Sequence, residues 1–485
     1  MTIGRFLRSA AGLLPAGMVF LVLSVSSCKE DNAAPDPDGE ITNAEINRWI
    51  VDSMRHYYYW TEEIPPDNSL NFNAGPRDFF ESLLNRPADR FSWIQNAEEL
   101  RRESAGIIKT SGLGFAFFRI GDDRAGIAIR YVLEGSPADE AGIERGDVFT
   151  RVNGQVIAVD REGYVRNHEP LQGNETFTLT EGILNGNTIS EGEEISLTPV
   201  EGFQEKAIHM DSVMVADNGT KIGYLFYNRF LNQPQELVDA FQRFKTAGVT
   251  ELIVDERYNP GGYVEMAGLM SALIHKGFDI NSPFIQFDFN SNFTDETLTY
   301  ADIFGAANEA LVSGTNLGLD RVFILATNNS ASASELLINN LRPFLGTSNV
   351  IHIGSTTVGK DEASITIENS SPRFQGEDDW GIQPIVLKYK NRNGEGDFHD
   401  GIIPQYPVSE TVPFAPMGSA EDPLIATAMG IIDPGMQALL KRQMDVDKAR
   451  WPAQAEQLEK ANEELIKPRP VDVTDLLKGK TLQLR

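Results

Sequence analysis

The spacing of apolar residues changes character several times along the chain. From Ala10 to Val25 they run almost unbroken, interrupted by Gly12, Pro15 and Gly17. That run is shorter and more broken than the about 20 residues a spanning helix needs. Between residues 40 and 100 the period is helical. Ile46, Trp49, Ile50, Met54 and Tyr57 share one face, and Thr42 with Glu45 forms a capping box at its start. Pro65-Pro66 stops this helix, and a second is expected from Pro76 to Leu84, with Phe79, Phe80, Leu83 and Leu84 turned inward. The aromatic run Tyr57-Tyr58-Tyr59-Trp60 is read as core packing. From 106 to 200 the pattern becomes short β-rich runs, Gly114–Ile120, Ala125–Tyr131, Val148–Val152 and Ile195–Pro199, cut by Gly and Asn-Gly turns. From 208 to 437 strands alternate with helices: Ile222–Tyr227, Gln233–Lys245, Thr250–Asp255, Arg321–Ala326 and Val350–Gly354. That alternation predicts an α/β layer with sites at the carboxyl ends of its strands. Gln454–Ile466 reads as a charged helix and Lys467-Pro468-Arg469-Pro470 as a break.

Composition sharpens this picture. At about 100–200 residues per domain, 485 residues predict two to four domains. With 41% hydrophobic and 23% charged residues, wholesale disorder is excluded. Asp and Glu number 70 against 42 Lys and Arg, a net charge of −28, so the chain repels phosphate backbones and nucleic acid is not a partner. A single Cys allows no internal disulfide and no Cys-based zinc site. The six His show no H-x₃-H or HExxH spacing, so no metal and no cofactor are expected.

The lone Cys has an informative address. Arg5 and Arg8 precede the apolar run, which ends in Leu23-Ser24-Val25-Ser26-Ser27-Cys28. This resembles a bacterial lipobox, which implies a signal peptide over 1–27, lipidation of Cys28 and a tether over 28–40. Cleavage removes two Arg and no acid, so the anchor to the membrane has to be lipid rather than charge. Lys29-Glu30-Asp31-Asn32 resembles the surface-export signal of some Gram-negative lipoproteins. The expected location is the cell envelope, as an outer-membrane lipoprotein that is either periplasmic or surface-exposed.

In the β-rich region, Ser111-Gly112-Leu113-Gly114-Phe115 stands before the first strand. Ser136-Pro137-Ala138-Asp139-Glu140-Ala141-Gly142-Ile143 forms a short helix with Ser136 as N-cap, followed by Arg145-Gly146-Asp147 and Val152-Asn153-Gly154. This series resembles a PDZ domain. The resemblance implies that Leu113, Gly114 and Phe115 bind a peptide: the loop aims backbone N–H groups at a terminal carboxylate and the next strand edge accepts the peptide as a further strand. Residues 158–190, with their Asn-Gly and Gly-Asn pairs, are expected to be an enlarged loop.

Three loops at strand ends carry the chemistry: Asp255-Glu256-Arg257-Tyr258-Asn259-Pro260-Gly261-Gly262, Thr327-Asn328-Asn329-Ser330-Ala331-Ser332-Ala333-Ser334-Glu335, and Gly354-Ser355-Thr356-Thr357-Val358-Gly359-Lys360. Together they resemble the carboxyl-terminal processing proteases, the S41 family of serine peptidases. Asp400-Gly401-Ile402-Ile403-Pro404 and Asp422-Pro423-Leu424 are similar to that family's later elements. The implied architecture is multidomain, α/β and β: a small N-terminal helical domain (41–105), a PDZ domain (106–205) and an α/β S41 protease core (206–437), with 438–485 as a C-terminal charged helix and tail.

A serine hydroxyl needs a base, and no His lies in these loops. Lys360 is the candidate, because desolvation lowers a lysine's pKa and frees its amine. The family match places the nucleophile on Ser332, the middle of three alternating serines, with Lys360 28 positions later. Arg342-Pro343-Phe344-Leu345-Gly346 is expected to absorb that spacing as a loop. The bland role for Ser332 is a helix N-cap, since Ser332-Ala-Ser-Glu335 is itself a capping box. Ala333 N–H is one oxyanion donor by position, and the other is expected from Gly261 or Gly262, with Gly261 preferred.

Departures are visible. Where some relatives carry a Gln four residues after the lysine, this chain has Ser364, a candidate third member. Asp361 and Glu362 would hold Lys360 protonated if they face it. Glu256 stands at an apolar position. The reading is a serine endopeptidase that uses a Ser-Lys dyad and an acyl-enzyme to cut unfolded or C-terminally recognised protein and peptide substrates. The alternatives are a catalytically inactive PDZ-type peptide-binding lipoprotein, and the same scaffold with His352 as base.

Overall fold

The computed structural model describes residues 41–185, 188–436, 457–458, 461–462, 465 and 471–477; the expected signal peptide, Cys28 and its tether lie outside them. Helix α1 covers Asn43–Tyr57 and carries the expected capping box: Thr42 Oγ1 accepts from Glu45 N at 3.3 Å, and Glu45 Oε2 accepts from Thr42 N at 3.0 Å. Its apolar face, Ile46, Ile50 and Met54, buries against Phe79 and Phe80 of α2, Pro76–Glu81. The Ser82 hydroxyl bonds back to Phe79 O at 2.6 Å, and α2 ends before the predicted Leu84. This unit is not closed by its own residues. Strand β1, Trp93–Asn96, pairs antiparallel with Trp380–Gln383, and Ile382 enters its core.

In the second domain β2 (Leu113–Arg119), β3 (Ala125–Val132), β4 (Val148–Val152), β5 (Phe177–Asn185) and β6 (Thr188–Leu197) form an antiparallel sheet. Its order is β6-β5-β4-β3-β2, which leaves β2 at one edge. Helix α3, Pro137–Glu140, starts at Ser136, whose Oγ accepts from Asp139 N. Residues 158–190 are more ordered than an enlarged loop. They contain the hairpin Ala158–Val159 with Val165–Arg166, all of β5 and the start of β6. The Asn-Gly pairs favour turns, but Phe177 and Leu179 alternate into the core at strand period.

The third part is built on a six-stranded sheet. β7 (Ile208–Val215) runs antiparallel to β8 (Lys221–Tyr227), and β9 (Glu251–Asp255), β10 (Val322–Ala326), β11 (Val350–Gly354) and Tyr406–Pro407 continue parallel to β8. β8 to β11 are apolar and buried along nearly their whole length because both of their faces are covered, whereas the edge strands β7 and Tyr406–Pro407 are partly exposed. Helices α4 (Pro234–Ala247), α5 (Val264–Ile274) and α6 (Ala333–Leu345) pack on one face and α7 (Pro423–Ile432) on the other. α6 runs through Pro343, where a loop was expected. Pro343 has no N–H to give Asn339 O, and Asn391 Nδ2 donates to that carbonyl instead, at 3.2 Å.

The PDZ-like domain docks on the core through packed side chains, Phe118 and Val148 with Val412 and Phe414 and Tyr131 with Phe226 and Tyr258, and through Arg145. Arg145 donates to Ala415 O at 2.6 Å, Tyr258 Oη at 2.9 Å and Glu410 Oε1 at 3.0 Å, and lies 3.3 Å from Asp422. Arg257, fully buried, pairs with Asp255, Glu410 and Asp422 from the other side. Burial pushes Glu410 up, but Arg257 and Arg145 outweigh it and hold its carboxyl at about 2.

Candidate active site

The three predicted loops leave the carboxyl ends of β9, β10 and β11. In the β10–α6 turn the three alternating serines separate cleanly. Ser330 Oγ donates to Glu256 O at 2.7 Å and accepts from Thr327 N at 2.9 Å. Ser334 Oγ donates to Asn259 O at 3.1 Å. Ser332 Oγ is buried and makes no hydrogen bond. Ser332 also has φ 63° and ψ −112°, a region a side-chain-bearing residue occupies at a cost of about 1–3 kcal/mol. Only half of the capping box is therefore realised: Glu335 Oε2 accepts from Ser332 N at 2.8 Å, while the serine hydroxyl is left out of it.

The glycine turn lies directly against this serine. A Cβ on Gly261, at φ 108°, would stand 2.6 Å from Ser332 Cβ and 3.0 Å from Oγ, so no other residue fits there. Asn259 organises the turn, with its carbonyl accepting from Ala331 N at 3.1 Å and its Oδ1 from Gly261 N at 2.8 Å. The preferred second oxyanion donor is thus engaged by Asn259 in this state. Ala333 N–H, at the first position of α6, has no hydrogen bond among the described residues.

The lysine loop is bound to the serine turn by one carboxylate. Glu335 Oε1 accepts from Thr357 Oγ1 at 2.5 Å and Gly359 N at 2.7 Å; its Oε2 accepts from Lys360 N at 2.9 Å as well as from Ser332 N. Burial pushes the Glu335 carboxyl up, and these four donors favour its ionised form. Tyr389 Oη adds a second tie, reaching Lys360 O at 2.7 Å and Ser332 O at 3.3 Å. Lys360 is buried, and its Nζ lies 4.2 Å from the centroid of the Phe91 ring.

Residues 221–408 match the model of peptidase family S41, residues 45–93 that of the peptidase S41 N-terminal domain and residues 129–166 that of a PDZ domain. The core thus resembles an S41 peptidase domain over residues 221–408. A "Probable CtpA-like serine protease" of Staphylococcus aureus (strain bovine RF122 / ET3-1) is 28% identical over 244 residues, 50% of this chain and 43% of that protein. One of Staphylococcus epidermidis (strain ATCC 12228 / FDA PCI 1200) is 25% identical over 338 residues, 68% of this chain and 60% of that protein. The chain thus spans less than two thirds of the length of either relative. The crystal structure of a "Putative S41 protease from Bacteroides fragilis NCTC 9343" shares the fold, with a TM-score of 0.65 and 24% identity over 80% of this chain and 97% of that one.

Within the S41 core, Ser364 does not stand alone. Its hydroxyl donates to Gln383 Oε1 at 3.1 Å, and Gln383 Nε2 donates to Thr366 Oγ1 at 2.6 Å. Asp361 and Glu362 point toward Lys388, at 3.7 and 3.9 Å. Burial, then the neighbouring Asp361, push Glu362 up to about 7, against the pull of Lys388 and Lys360. His352 is buried in β11 with Nε2 3.1 Å from Ala326 O and makes no hydrogen bond to Ser332; burial lowers it to about 4. Glu256 is fully buried, and both of its carboxylate oxygens lack a hydrogen bond. Burial, then Asp255, push it well above the usual carboxylate range, which makes it a neutral side chain at the expected apolar position.

The S41 core borrows residues that local sequence did not single out. Phe91 supplies the ring beside Lys360, and Arg90 donates to Gly359 O and, at 2.9 Å, to His399 O. Both come from the N-terminal unit. The expected peptide loop of the PDZ domain lines a cavity of about 350 Å³. Leu113, Gly114 and Phe115 form one wall, and Arg130, Arg229 and Pro260 close it against the core. Pro260 immediately precedes the Gly261-Gly262 turn. Arg130 Nε is buried there without a hydrogen bond.

Proposed function

We propose that this chain is a serine endopeptidase that works through Ser332 and Lys360 on protein or peptide substrates held by their C-termini. The observation that carries the reading is the contrast among the three serines. Two hydroxyls are consumed by backbone, while Ser332 presents an unbonded Oγ on a strained turn at a helix N-terminus, tied through Glu335 to the lysine loop. Ser332 Oγ attacks the scissile carbonyl carbon as Lys360 Nζ takes its proton. Ala333 N–H and an N–H of the Gly261-Gly262 turn hold the oxyanion. Collapse breaks the C–N bond, the departing amine takes the proton back from Lys360, and an acyl-enzyme on Ser332 remains. Water, deprotonated by Lys360, then releases the acid. Ser364, through Gln383, serves as a polar support beside the lysine. The cavity between Gly114 and Pro260 gives a peptide carboxylate a place from which its upstream residues lead toward the glycine turn.

The proposed location is the cell envelope, with Cys28 as the lipid attachment site. The testing experiment is a covalent serine-reactive probe applied to the mature protein: labelling that needs both Ser332 and Lys360 supports the dyad, and labelling indifferent to either sinks it. In the same cells, Cys28→Ser is expected to leave a soluble or unprocessed species. Radiolabelled palmitate entering that variant would rule out the anchor.

A further inference from the structure

The edge strand of the PDZ domain, where a peptide would add, is already in use. Gln457 forms an antiparallel bridge with Phe118 of β2, and Leu458 N donates to Phe117 O at 3.1 Å. Asn462 then satisfies both backbone groups of Phe117: its Oδ1 accepts from Phe117 N at 2.7 Å and its Nδ2 donates to Phe117 O at 3.1 Å. Leu458 and Ala461 are buried in the PDZ core, and Leu465 lines the cavity beside Gly114 and Pro260.

The same segment reappears at the catalytic turn. Val471–Asp472 pairs parallel with β12, Glu362–Ser364, the strand that follows Lys360. Asp472 N donates to Gly262 O at 3.1 Å, and Val473 N to Ser364 O at 3.1 Å. The described residues of this segment thus touch the recognition edge (Gln457, Leu458, Asn462), the carboxylate loop (Leu465), and the glycine turn and lysine strand (Val471–Val473). A peptide fixed by its C-terminal carboxylate at the PDZ loop and added antiparallel to β2 would need the backbone positions beside Phe117 and Phe118 that Gln457, Leu458 and Asn462 hold.

We propose that, through Gln457, Leu458, Asn462 and Leu465, the C-terminal segment is the resident occupant of the PDZ peptide-binding edge, antiparallel to β2 as a bound peptide would be, and that substrate has to displace it. This rests on the peptidase reading for its consequence but not for its test. In a full-length Ser332→Ala background, a fluorescein-labelled ten-residue peptide with an apolar, free C-terminus is titrated by anisotropy against the parent, Asn462→Ala and Leu465→Asp. Both variants are expected to bind at least tenfold more tightly than the parent, and only when the peptide's carboxylate is not amidated. A synthetic peptide with the sequence of residues 455–466 is expected to compete on the variants. With Ser332 restored, the same substitutions lower KM and leave kcat alone. Equal binding by parent and variants with matching thermal melts, weaker binding by the variants, or no competition at millimolar peptide each overturns the proposal. Because binding is read without the nucleophile, failure of the dyad alone leaves this result standing.

Discussion

The serine turn and the lysine loop sit side by side, yet they are held in different ways. The serine turn is fixed from within the central sheet: Glu256 O, Asn259 O and Thr327 N, all at the ends of β9 and β10, take up the neighbouring serines. The lysine loop is fixed from outside. Glu335 reaches it from α6, Tyr389 from the strand Ile385–Asn391, and Arg90 and Phe91 from the N-terminal unit. Ser332, strained at φ 63°, needs an environment that cannot relax, and adjoining parallel strands supply it. The surroundings of Lys360 are assembled from parts remote in sequence, so its placement is the more easily disturbed of the two.

The largest effects should appear where the contrast is sharpest. Ser332→Ala is expected to reduce peptide turnover to background, a loss of about 10³-fold or more, with an unchanged thermal melt because Oγ holds nothing in place. Ser330→Ala should do the reverse, costing about 1–3 kcal/mol of stability by stranding Thr327 N and leaving Glu256 O only its bond from Asn259 N, while turnover persists. A dead Ser334→Ala beside an active Ser332→Ala would move the nucleophile. Next, Lys360→Arg should be inactive although it keeps the charge, since a guanidinium does not release its proton at usable pH. The wild-type rate should climb with pH as the neutral amine becomes available. Near-normal turnover in Lys360→Arg would remove lysine from the mechanism.

Glu335→Gln tests the carboxylate that joins the two regions. One carboxylate accepts four hydrogen bonds here, and an amide can offer only one acceptor oxygen. kcat should fall about 10²-fold from misplacement of serine against lysine, with KM little changed. Loss through KM alone would show that Glu335 serves binding instead. The smallest effect concerns stability. Glu362 is raised to about 7 in the fold, so between its unfolded value and 7 the native state holds a proton that the unfolded chain has lost. Stability therefore falls as pH rises through that window, by about 3 kcal/mol in total. Glu362→Gln should flatten this decline in denaturant titrations at pH 4.5, 6 and 8, and an unaltered slope would place the titration elsewhere.

The same contrast explains what was legible in the sequence. The strands and the order of the three loops could be read because apolar runs and Gly- and Ser-rich turns are local patterns. Ser332 could be separated from Ser330 and Ser334 only by resemblance, since in sequence the three alternate alike; the hydrogen bonds distinguish them. Phe91 and Arg90 gave no signal, because nothing around them shows that folding brings them to Gly359 and Lys360. Asp361 and Glu362 were a threat to a neutral lysine on paper; Lys388, opposite Glu362 on the adjacent strand, lies 3.7 and 3.9 Å from them, while the charge of Lys360 still reaches Glu362. Pro343 read as a helix end, and Asn391 supplied the missing donor. The charged helix near the C-terminus gave no functional cue, because Asn462 acts through backbone atoms of Phe117 that no composition reveals.

The Arg145 contact has a consequence for how the molecule comes apart. Arg145 and Arg257 share Glu410 and Asp422 out of water, so lifting the PDZ domain away would leave buried carboxylates with half their countercharge. Stranding such a charge costs several kcal/mol, comparable to the whole stability of a small domain. Partial detachment is therefore not a cheap intermediate. Calorimetry should show the recognition domain and the core melting together in one cooperative transition, and Arg145→Met should split it into two.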